Sequence, residues 1–297
     1  MPAGWEPYVS ALVAGLGVGG VYALVAMGYN LVFRATGVFN LAQGQLLSYG
    51  ALIGFTLWVS HGTPLLLALL AVTAAVAALG FVQERITVAP LARAGTNSMA
   101  WVITTLGASV VLENIAQLAW GGDQHPVPPL ADLAAWRIGG ATVQPANMII
   151  LVTALAAAAA LTAVTRYTRA GKTWSATAED AEAARVRGIN TRRVGAVSFA
   201  VAAALSGFAG FVVAPVTGAS FDMGSSLTLA GFVAIAVGGF GSAGGALAGG
   251  LIIGVVDSEA VLMLSSAWKD VVTLLVLLLI LGVRPNGLFG TYRERVI

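Results

Sequence analysis

The sequence predicts an all-α integral membrane protein, a polytopic bundle of eight or nine helices, from its composition and the length of its apolar runs. Of its 297 residues, 58% are hydrophobic and 9% are charged, and the mean hydropathy is +0.88. A soluble protein carries roughly 25% charged residues on average. Several apolar runs reach the ~20 residues that cross a bilayer as a helix. None shows the period-two alternation of a membrane barrel.

Nine apolar segments follow one another along the chain. We place them at about 8–33, 41–60, 63–83, 98–120, 146–165, 194–217, 228–240, 246–264 and 269–283. The seventh and eighth form a Gly-rich hairpin whose turn is 241–245. The first arm of this hairpin has only about 13 residues, roughly 20 Å of helix. The hairpin therefore either crosses the bilayer or re-enters partway.

The distribution of positive charge predicts the orientation of these segments. Seven of the 15 Lys and Arg residues lie in the connection 166–193, which the positive-inside rule places in the cytoplasm. We interpret the loop 84–97 and the tail with Arg284 as cytoplasmic too. The connections interpreted as external are 121–145, 218–227 and the region of Asp257 and Glu259. This pattern predicts an amino terminus outside and a carboxyl terminus in the cytoplasm.

Several features typical of other protein classes are missing. A cleavable signal begins with basic residues, but residues 1–10 contain no Lys or Arg. We therefore expect the first span to be retained. The chain has no Cys, which excludes disulfides, thiolate metal sites and cysteine catalysis. Gly171-Lys172-Thr173 ends like a phosphate-binding loop, but the glycine required five positions earlier is Arg166. We therefore expect no enzyme, no cofactor or metal on this chain and no nucleic-acid partner.

A charged stretch, 177–188, interrupts the apolar chain. Thr177 and Asp180 have the spacing of a capping box, and Gly188 is a typical left-handed helix stop. They predict one short helix of about ten residues, roughly 15 Å long. Such a helix is too short and too charged to span a membrane. Physical reasoning leaves two alternatives, an ordinary basic loop on the inner side or a helix that meets a soluble partner.

Within this stretch, Glu182-Ala183-Ala184-x-x-x-Gly188 resembles the EAA loop of ABC importer permeases. Other stretches are similar to the permeases of branched-chain amino acid importers, in the same order along nearly the whole chain. They are Gly19-Gly20-Val-Tyr22-Ala23-Leu24-Val-Ala-Met-Gly28, Thr36-Gly37-Val38-Phe39-Asn40-Leu-Ala-Gln43-Gly44, Thr104-Thr105-Leu106-Gly107, Gly238-Gly239-Phe-Gly241-Ser242-x-x-Gly245 and Val283-Arg284-Pro285-Asn286-Gly287-Leu288-Phe289-Gly290. The chain departs from the EAA pattern after Gly188, where Thr191-Arg192-Arg193 replaces the usual Ile-x-Leu-Pro ending.

The resemblance implies a single permease domain, 1–297, with 166–193 as its cytoplasmic coupling loop. It implies an ATP-driven importer of branched-chain or related amino acids in a bacterial or archaeal cytoplasmic membrane. Expected partners are ABC ATPase subunits, which hold ATP and Mg, a second permease subunit or second copy, and an extracytoplasmic substrate-binding protein. The residues implied to couple to the ATPase are Glu179, Glu182, Ala183, Ala184, Arg185 and Gly188. Alternatives are the same architecture importing urea or short amides, and a stand-alone secondary transporter or channel.

Polar residues inside the apolar segments are candidates for a substrate path, because burying them in a span is costly. They are Asn40, Gln43, Glu113, Asn114 and Gln117. Glu113 is interpreted as the only acidic residue well inside a span. Its carboxylate either meets a substrate ammonium group or makes a hydrogen bond between helices.

Glycines form a third group of candidates. The pairs spaced by four, Gly15/Gly19, Gly245/Gly249 and Gly250/Gly254, predict close helix packing. In the hairpin turn, Gly241, Gly244 and Gly245 are candidates for an alternating-access hinge, because glycine reorients at little cost.

Overall fold

A computed structural model describes residues 5–94, 98–131, 133–138 and 141–290. Within these ranges, seven helices are long and apolar enough to cross a membrane. The prediction of an all-helical polytopic membrane protein is thereby confirmed. The part of the predicted cytoplasmic tail after residue 290 lies outside the described ranges.

Nine of the described helices follow the nine predicted apolar segments, and three short ones lie in the connections between those segments. The first six are α1 (Glu6–Thr36), α2 (Gln43–Gly54), α3 (Leu65–Gln83), α4 (Ala89–Ala94), α5 (Ser98–Trp120) and α6 (Pro145–Tyr167). The remaining six are α7 (Arg169–Glu179), α8 (Ala181–Val186), α9 (Thr191–Thr217), α10 (Met223–Gly238), α11 (Ala243–Met263) and α12 (Lys269–Val283). Two strands, β1 (Trp136–Ile138) and β2 (Ala141–Val143), pair in antiparallel fashion. A 3-10 turn, Ser266–Trp268, precedes α12.

Two helices continue through π-helical turns. Phe55–Ser60 extends α2, and Glu84–Val88 joins α3 to α4. A π turn inserts an extra residue into the helical ladder and is found frequently at functional sites. The stretch predicted as the loop 84–97 is therefore helical as far as Ala94, which corrects the sequence interpretation. Hydropathy alone predicts that the helix ends at Glu84 and Arg85, because both are charged. Their side chains pair with each other at 3.7 Å, and the helix continues through them.

Two further boundaries differ from the predictions. The region of Asp257 and Glu259, interpreted as an external connection, lies inside α11. The first hairpin arm, α10, has 16 residues, because it begins at Met223 and includes part of the predicted connection 218–227. Local hydropathy predicted neither helix boundary, because the small and polar residues in these stretches are accommodated by packing.

One compact unit comprises Met1–Asn30, Pro129–Ala159 and Ala230–Ile297. Its α1 and α11 meet at glycines, because a Cβ atom on Gly15 would lie 2.8 Å from the Cα of Val255. A Cβ on Gly19 would lie 2.8 Å from the backbone oxygen of Gly250, and one on Gly249 would lie 2.8 Å from the Cα of Gly238. The predicted role of the glycine pairs in close helix packing is confirmed.

The same unit holds the residues that follow α12 against the end of α10. The backbone N–H groups of Leu288 and Phe289 donate to the carbonyl oxygens of Val237 and Gly238 at 2.8 and 3.0 Å. These bonds satisfy carbonyl groups that a helix leaves open at its carboxyl end. Two stretches that carry the family resemblance therefore form one local structure.

The second compact unit comprises Leu31–Pro128 and Ala160–Leu229. Its centre is α9, which packs along both α2 and α3. Small residues bring these helices together. A Cβ atom on Gly210 would collide with the carbonyl of Leu47, and one on Gly80 would lie 2.9 Å from the carbonyl oxygen of Phe199. This close packing brings the polar residues of α2 next to α9.

Candidate functional site

The charged stretch forms two helices and not one. Helix α7 ends at Glu179. The backbone of Asp180 is extended (φ −153°, ψ 105°) and separates α7 from α8. The Oδ1 atom of Asp180 accepts hydrogen bonds from the N–H groups of Glu182 and Ala183, both at 2.9 Å. Asp180 is therefore the N-cap of α8, and the prediction that Thr177 caps the helix is wrong. The hydroxyl of Thr177 instead donates to the carbonyl of Thr173 inside α7.

Gly188 ends α8 as predicted. Its φ of +86° lies in the left-handed region. The N–H of Gly188 donates to the carbonyl of Arg185 at 2.9 Å, and that of Ile189 donates to the carbonyl of Ala184 at 3.0 Å. This bond pattern is a Schellman motif, which satisfies the last carbonyl groups of a helix. The six-residue helix is thus closed at both ends by local hydrogen bonds.

The two sides of α8 differ in exposure. The side chain of Ala184 is buried, with 3% of its surface accessible, and α8 contacts α7 and α9. Glu182, Ala183 and Arg185 are exposed. Val186 is 89% exposed and gives this charged segment an apolar surface. Sequence reasoning missed Val186, although its spacing of four from Glu182 places both on one helix face.

A first polar cluster lies on the side of α2 that meets α3 and α9. The Nε2 atom of Gln83 donates to the Oδ1 of Asn40 at 2.7 Å, and the Nδ2 of Asn40 is 3.4 Å from the Oε1 of Gln43. The Nε2 of Gln43 donates to the hydroxyl of Ser206 at 2.7 Å and to the carbonyl of Ala202 at 3.0 Å. Asn40, Gln43 and Ser206 are fully buried. These contacts tie three helices of the unit together.

A second polar cluster lies on another side of α2. The Nε2 of Gln45 donates to the Oε2 of Glu113 at 2.9 Å and to the Oγ of Ser225 at 2.8 Å. The hydroxyl of Ser225 donates to the same carboxylate at 3.0 Å. The Oε1 of Gln45 is buried and has no hydrogen-bond partner among the described residues. Residues two apart on a helix point to different sides, so Gln43 and Gln45 join separate clusters.

The five predicted path residues therefore separate into three environments. Asn40 and Gln43 belong to the buried first cluster, and Glu113 is half-buried in the second. Asn114 and Gln117 are exposed on α5, and the Nδ2 of Asn114 donates to the carbonyl of Val110 in its own helix. Only Glu113 combines a charge with partial access.

The candidate hinge glycines also differ from one another. Gly241 has a φ of +112°, and its N–H donates to the Oδ1 of Asn30 at 3.0 Å. A Cβ atom on Gly244 would meet nothing within 4 Å, whereas one on Gly245 would lie 2.8 Å from the carbonyl oxygen of Gly238. The N–H of Gly245 donates to the N-cap hydroxyl of Ser242. The hinge stays a prediction. A Cβ atom would have free space at both Gly241 and Gly244, but only Gly244 lacks a positive φ that would strain another residue.

Sequence reasoning missed a buried charged group in the first unit. Asp257, only 2% exposed, accepts hydrogen bonds from the hydroxyls of Tyr22 (2.7 Å) and Thr273. The Nζ of Lys269 lies 3.7 Å from the same carboxylate. The interpretation of Glu113 as the only acidic residue well inside a span is therefore wrong. A lone carboxylate is costly in an apolar helix, but one with three partners is compensated.

Comparison with known proteins assigns the chain to a family. Residues 11–281 match the family model described as branched-chain amino acid transport system, permease component. The chain is 31% identical over 296 residues to the high-affinity branched-chain amino acid transport system permease protein BraD of Pseudomonas aeruginosa, covering 95% of this chain and 96% of BraD.

Further relatives support the same assignment. The high-affinity permease protein LivH of Escherichia coli is 30% identical over 297 residues, covering 95% of this chain and 96% of LivH. An archaeal relative, the probable LivH of Methanocaldococcus jannaschii, is 24% identical and covers 90% and 88% of the two chains. No solved structure gives a significant match. The chain therefore belongs to the family of permease components of branched-chain amino acid ABC transport systems, the non-catalytic membrane components of those transporters.

Proposed function

We propose that this chain carries branched-chain amino acids across the cytoplasmic membrane as one domain of an ATP-driven importer, and that α8 is the element that meets the ATPase. The exposed, capped helix α8 carries the proposal. Its partners in the assembly are ATPase subunits that hold ATP and Mg, a second permease subunit or second copy, and a substrate-binding protein outside. The amino terminus lies outside and the carboxyl terminus in the cytoplasm, as the charge distribution favours.

The shape of α8 supports docking. A six-residue helix is unstable alone in water, yet this one has an N-cap, a left-handed stop and a buried Ala184. These features hold it as a rigid projection on α7 and α9. The exposed Val186 supplies apolar surface, and Glu182 and Arg185 supply charges of both signs. A small apolar centre with a polar rim is the usual anatomy of a protein interface.

The coupling mechanism follows from this rigidity. ATP binding on the partner favours one of two states of the permease, open inward or open outward, and α8 transmits that preference. Because Glu179 ends α7 and Asp180 separates the two helices, a force on α8 reaches the permease through its contacts with α7 and α9. Glu179, Glu182, Ala183, Ala184, Arg185 and Gly188 form the proposed coupling element.

The substrate path is proposed to include the second polar cluster. The half-buried carboxylate of Glu113 can accept hydrogen bonds from the ammonium group of an amino acid. Gln45 donates to this carboxylate through its Nε2, and its Oε1 has no partner in the part of the chain that the structure describes. This oxygen is a further acceptor for the same ammonium group. Asn114 and Gln117 lie on the exposed part of the same helix and would line the approach. Asn40 and Gln43 would enter the path only if α2 and α9 separate.

Substituting Val186 with Asp tests docking. We expect the complex to lose its ATPase subunit, or to hydrolyse ATP without uptake, because a charge replaces apolar contact area. The measurements are the ATPase content of the purified complex and uptake in proteoliposomes. Tyr167, 82% exposed at the end of α6, provides the matched control Tyr167→Asp. Normal coupling in Val186→Asp with loss in Tyr167→Asp would move the interface away from α8 and contradict the proposal.

A further inference from the structure

A cavity of about 330 Å³ lies in the second unit, beside the root of α8. It is bordered by the end of α1, the π turn after α3, the start of α5, α8 and the start of α9. The proposed transport steps use one residue of its lining, Arg185, and assign nothing to the cavity itself. Its lining combines positive charge with apolar surface, which defines the ligand that it fits.

The positive charge comes from three arginines that line the cavity, Arg85, Arg185 and Arg192. All three residues are exposed. The Nε of Arg185 donates to the hydroxyl of Thr191 at 2.9 Å, which orients its guanidinium group. One carboxylate also lines the cavity, that of Glu84, at 3.7 Å from Arg85. Among the described lining residues, one carboxylate stands against three guanidinium groups, so the positive charge is in excess.

The inner wall of the cavity is apolar. Val38 and Val88 line it and belong to the buried core of this unit, and Trp101 packs against that core. The indole N–H of Trp101 is buried and has no hydrogen-bond partner among the described residues. Buried N–H donors are almost always paired in native proteins. Trp101 therefore places a buried donor, with no partner among the described residues, next to the apolar wall of the cavity.

We propose that this cavity binds the headgroup of an anionic phospholipid from the cytoplasmic leaflet. The phosphodiester would pair with the guanidinium groups of Arg85 and Arg192, because guanidinium forms two parallel hydrogen bonds with phosphate oxygens. The apolar wall suits the first carbons of the acyl chains. Basic pockets between helices on the cytoplasmic side are suited to acidic headgroups. The charge distribution predicts this side for Arg185 and Arg192, which lie in the connection 166–193.

The test counts the phosphatidylglycerol retained by the whole importer complex, by mass spectrometry after purification from mixed phosphatidylcholine and phosphatidylglycerol membranes. In the double variant Arg85→Gln/Arg192→Gln we expect the affinity for phosphatidylglycerol to fall about tenfold or more, and the retained amount to fall with it, because each charge-assisted bond contributes over 1 kcal/mol. The matched control is Arg187→Gln/Arg193→Gln, which removes the same charge from exposed neighbours outside the cavity lining. Equal retention in the two double variants would overturn the proposal.

Two further measurements identify the occupant. The variant Arg85→Lys/Arg192→Lys keeps the charge, and partial recovery of lipid retention with a normal unfolding temperature shows that the loss is not misfolding. Trp101→Phe identifies the fluorescence of this indole, which we expect phosphatidylglycerol to change and inorganic phosphate to leave unchanged. A response to inorganic phosphate alone would assign a soluble anion and overturn the lipid. Loss of the ATPase with unchanged lipid retention in Arg85→Gln/Arg192→Gln would assign an acidic side chain of the partner.

Discussion

The hydroxyl of Tyr22 on α1 donates a 2.7 Å hydrogen bond to the carboxylate of Asp257 on α11, and both side chains are buried. The two residues are 235 positions apart in the chain. Their bond joins helices whose closest approach is made by glycines such as Gly19 and Gly250. Lys269 and Thr273 of α12 approach the same carboxylate. Asp257 therefore connects three helices of one compact unit.

Replacing Tyr22 with Phe should lower the free energy of unfolding by about 1 kcal/mol, since the carboxylate loses a buried donor. The measurement is reversible unfolding of the purified permease in mixed micelles. Tyr8→Phe is the matched control, because Tyr8 lies on the same helix and is 49% exposed. Equal stability of the two variants would show that the Tyr22 hydroxyl contributes nothing to the packing of α1 on α11.

Replacing Asp180 with Ala should uncouple transport from ATP hydrolysis. The change removes both N-cap bonds of α8 and costs about 1 kcal/mol, which is large for a six-residue helix. Asp180→Asn keeps an acceptor oxygen and should behave normally. The measurement is ATP hydrolysis stimulated by loaded binding protein, compared with uptake. If Thr177→Ala, and not Asp180→Ala, uncoupled the transporter, the assigned cap would not be the functional one.

Replacing Glu113 with Gln should reduce uptake about tenfold at saturating binding protein, because an ammonium group loses a charged acceptor worth over 1 kcal/mol. The amide still offers an oxygen to Gln45 and Ser225, so the unfolding temperature should stay close to that of the native protein. Ser225→Ala is the control for the hydrogen bonds alone, because it removes a neutral partner and leaves the carboxylate. Unchanged uptake in Glu113→Gln would exclude the substrate role and leave Glu113 as a link between helices.

Gly244 lies in the first turn of α11, next to the connection from α10. Replacing it with Ala should slow transport and leave assembly intact, if this connection acts as a hinge. The added methyl group has free space in the structure, so a fall in uptake would reflect restricted motion. Gly282→Ala on α12 is the matched control, because its Cβ also meets nothing within 4 Å. Gly241 is less suitable, since its φ of +112° would strain any other residue. Normal uptake in Gly244→Ala would exclude the hinge.

Features that depend on local chemistry were predictable from the sequence. Hydropathy identified the helices, because about 20 consecutive apolar residues satisfy the bilayer regardless of what they contact. Gly188 was recognised as the residue that ends α8, because glycine adopts the left-handed conformation simply by having no side chain. The glycine pairs of α1 and α11 were recognised as packing positions by their spacing of four. In contrast, the cap of α8 was misassigned because Thr177 and Asp180 are both good cap residues, and only the extended backbone at 180 distinguishes them.

The sequence by itself determined that this chain is a helical membrane protein with a charged, capped segment between two apolar spans. Tertiary structure alone decided which polar residues share an environment. The sequence placed Asp257 in an external connection, whereas in the folded chain the hydroxyls of Tyr22 and Thr273 donate to its carboxylate. Gln43 and Gln45, two residues apart, joined different clusters because α2 meets different helices on its two sides. A buried charge or amide is stable only when its partners are present, and those partners come from distant parts of the chain.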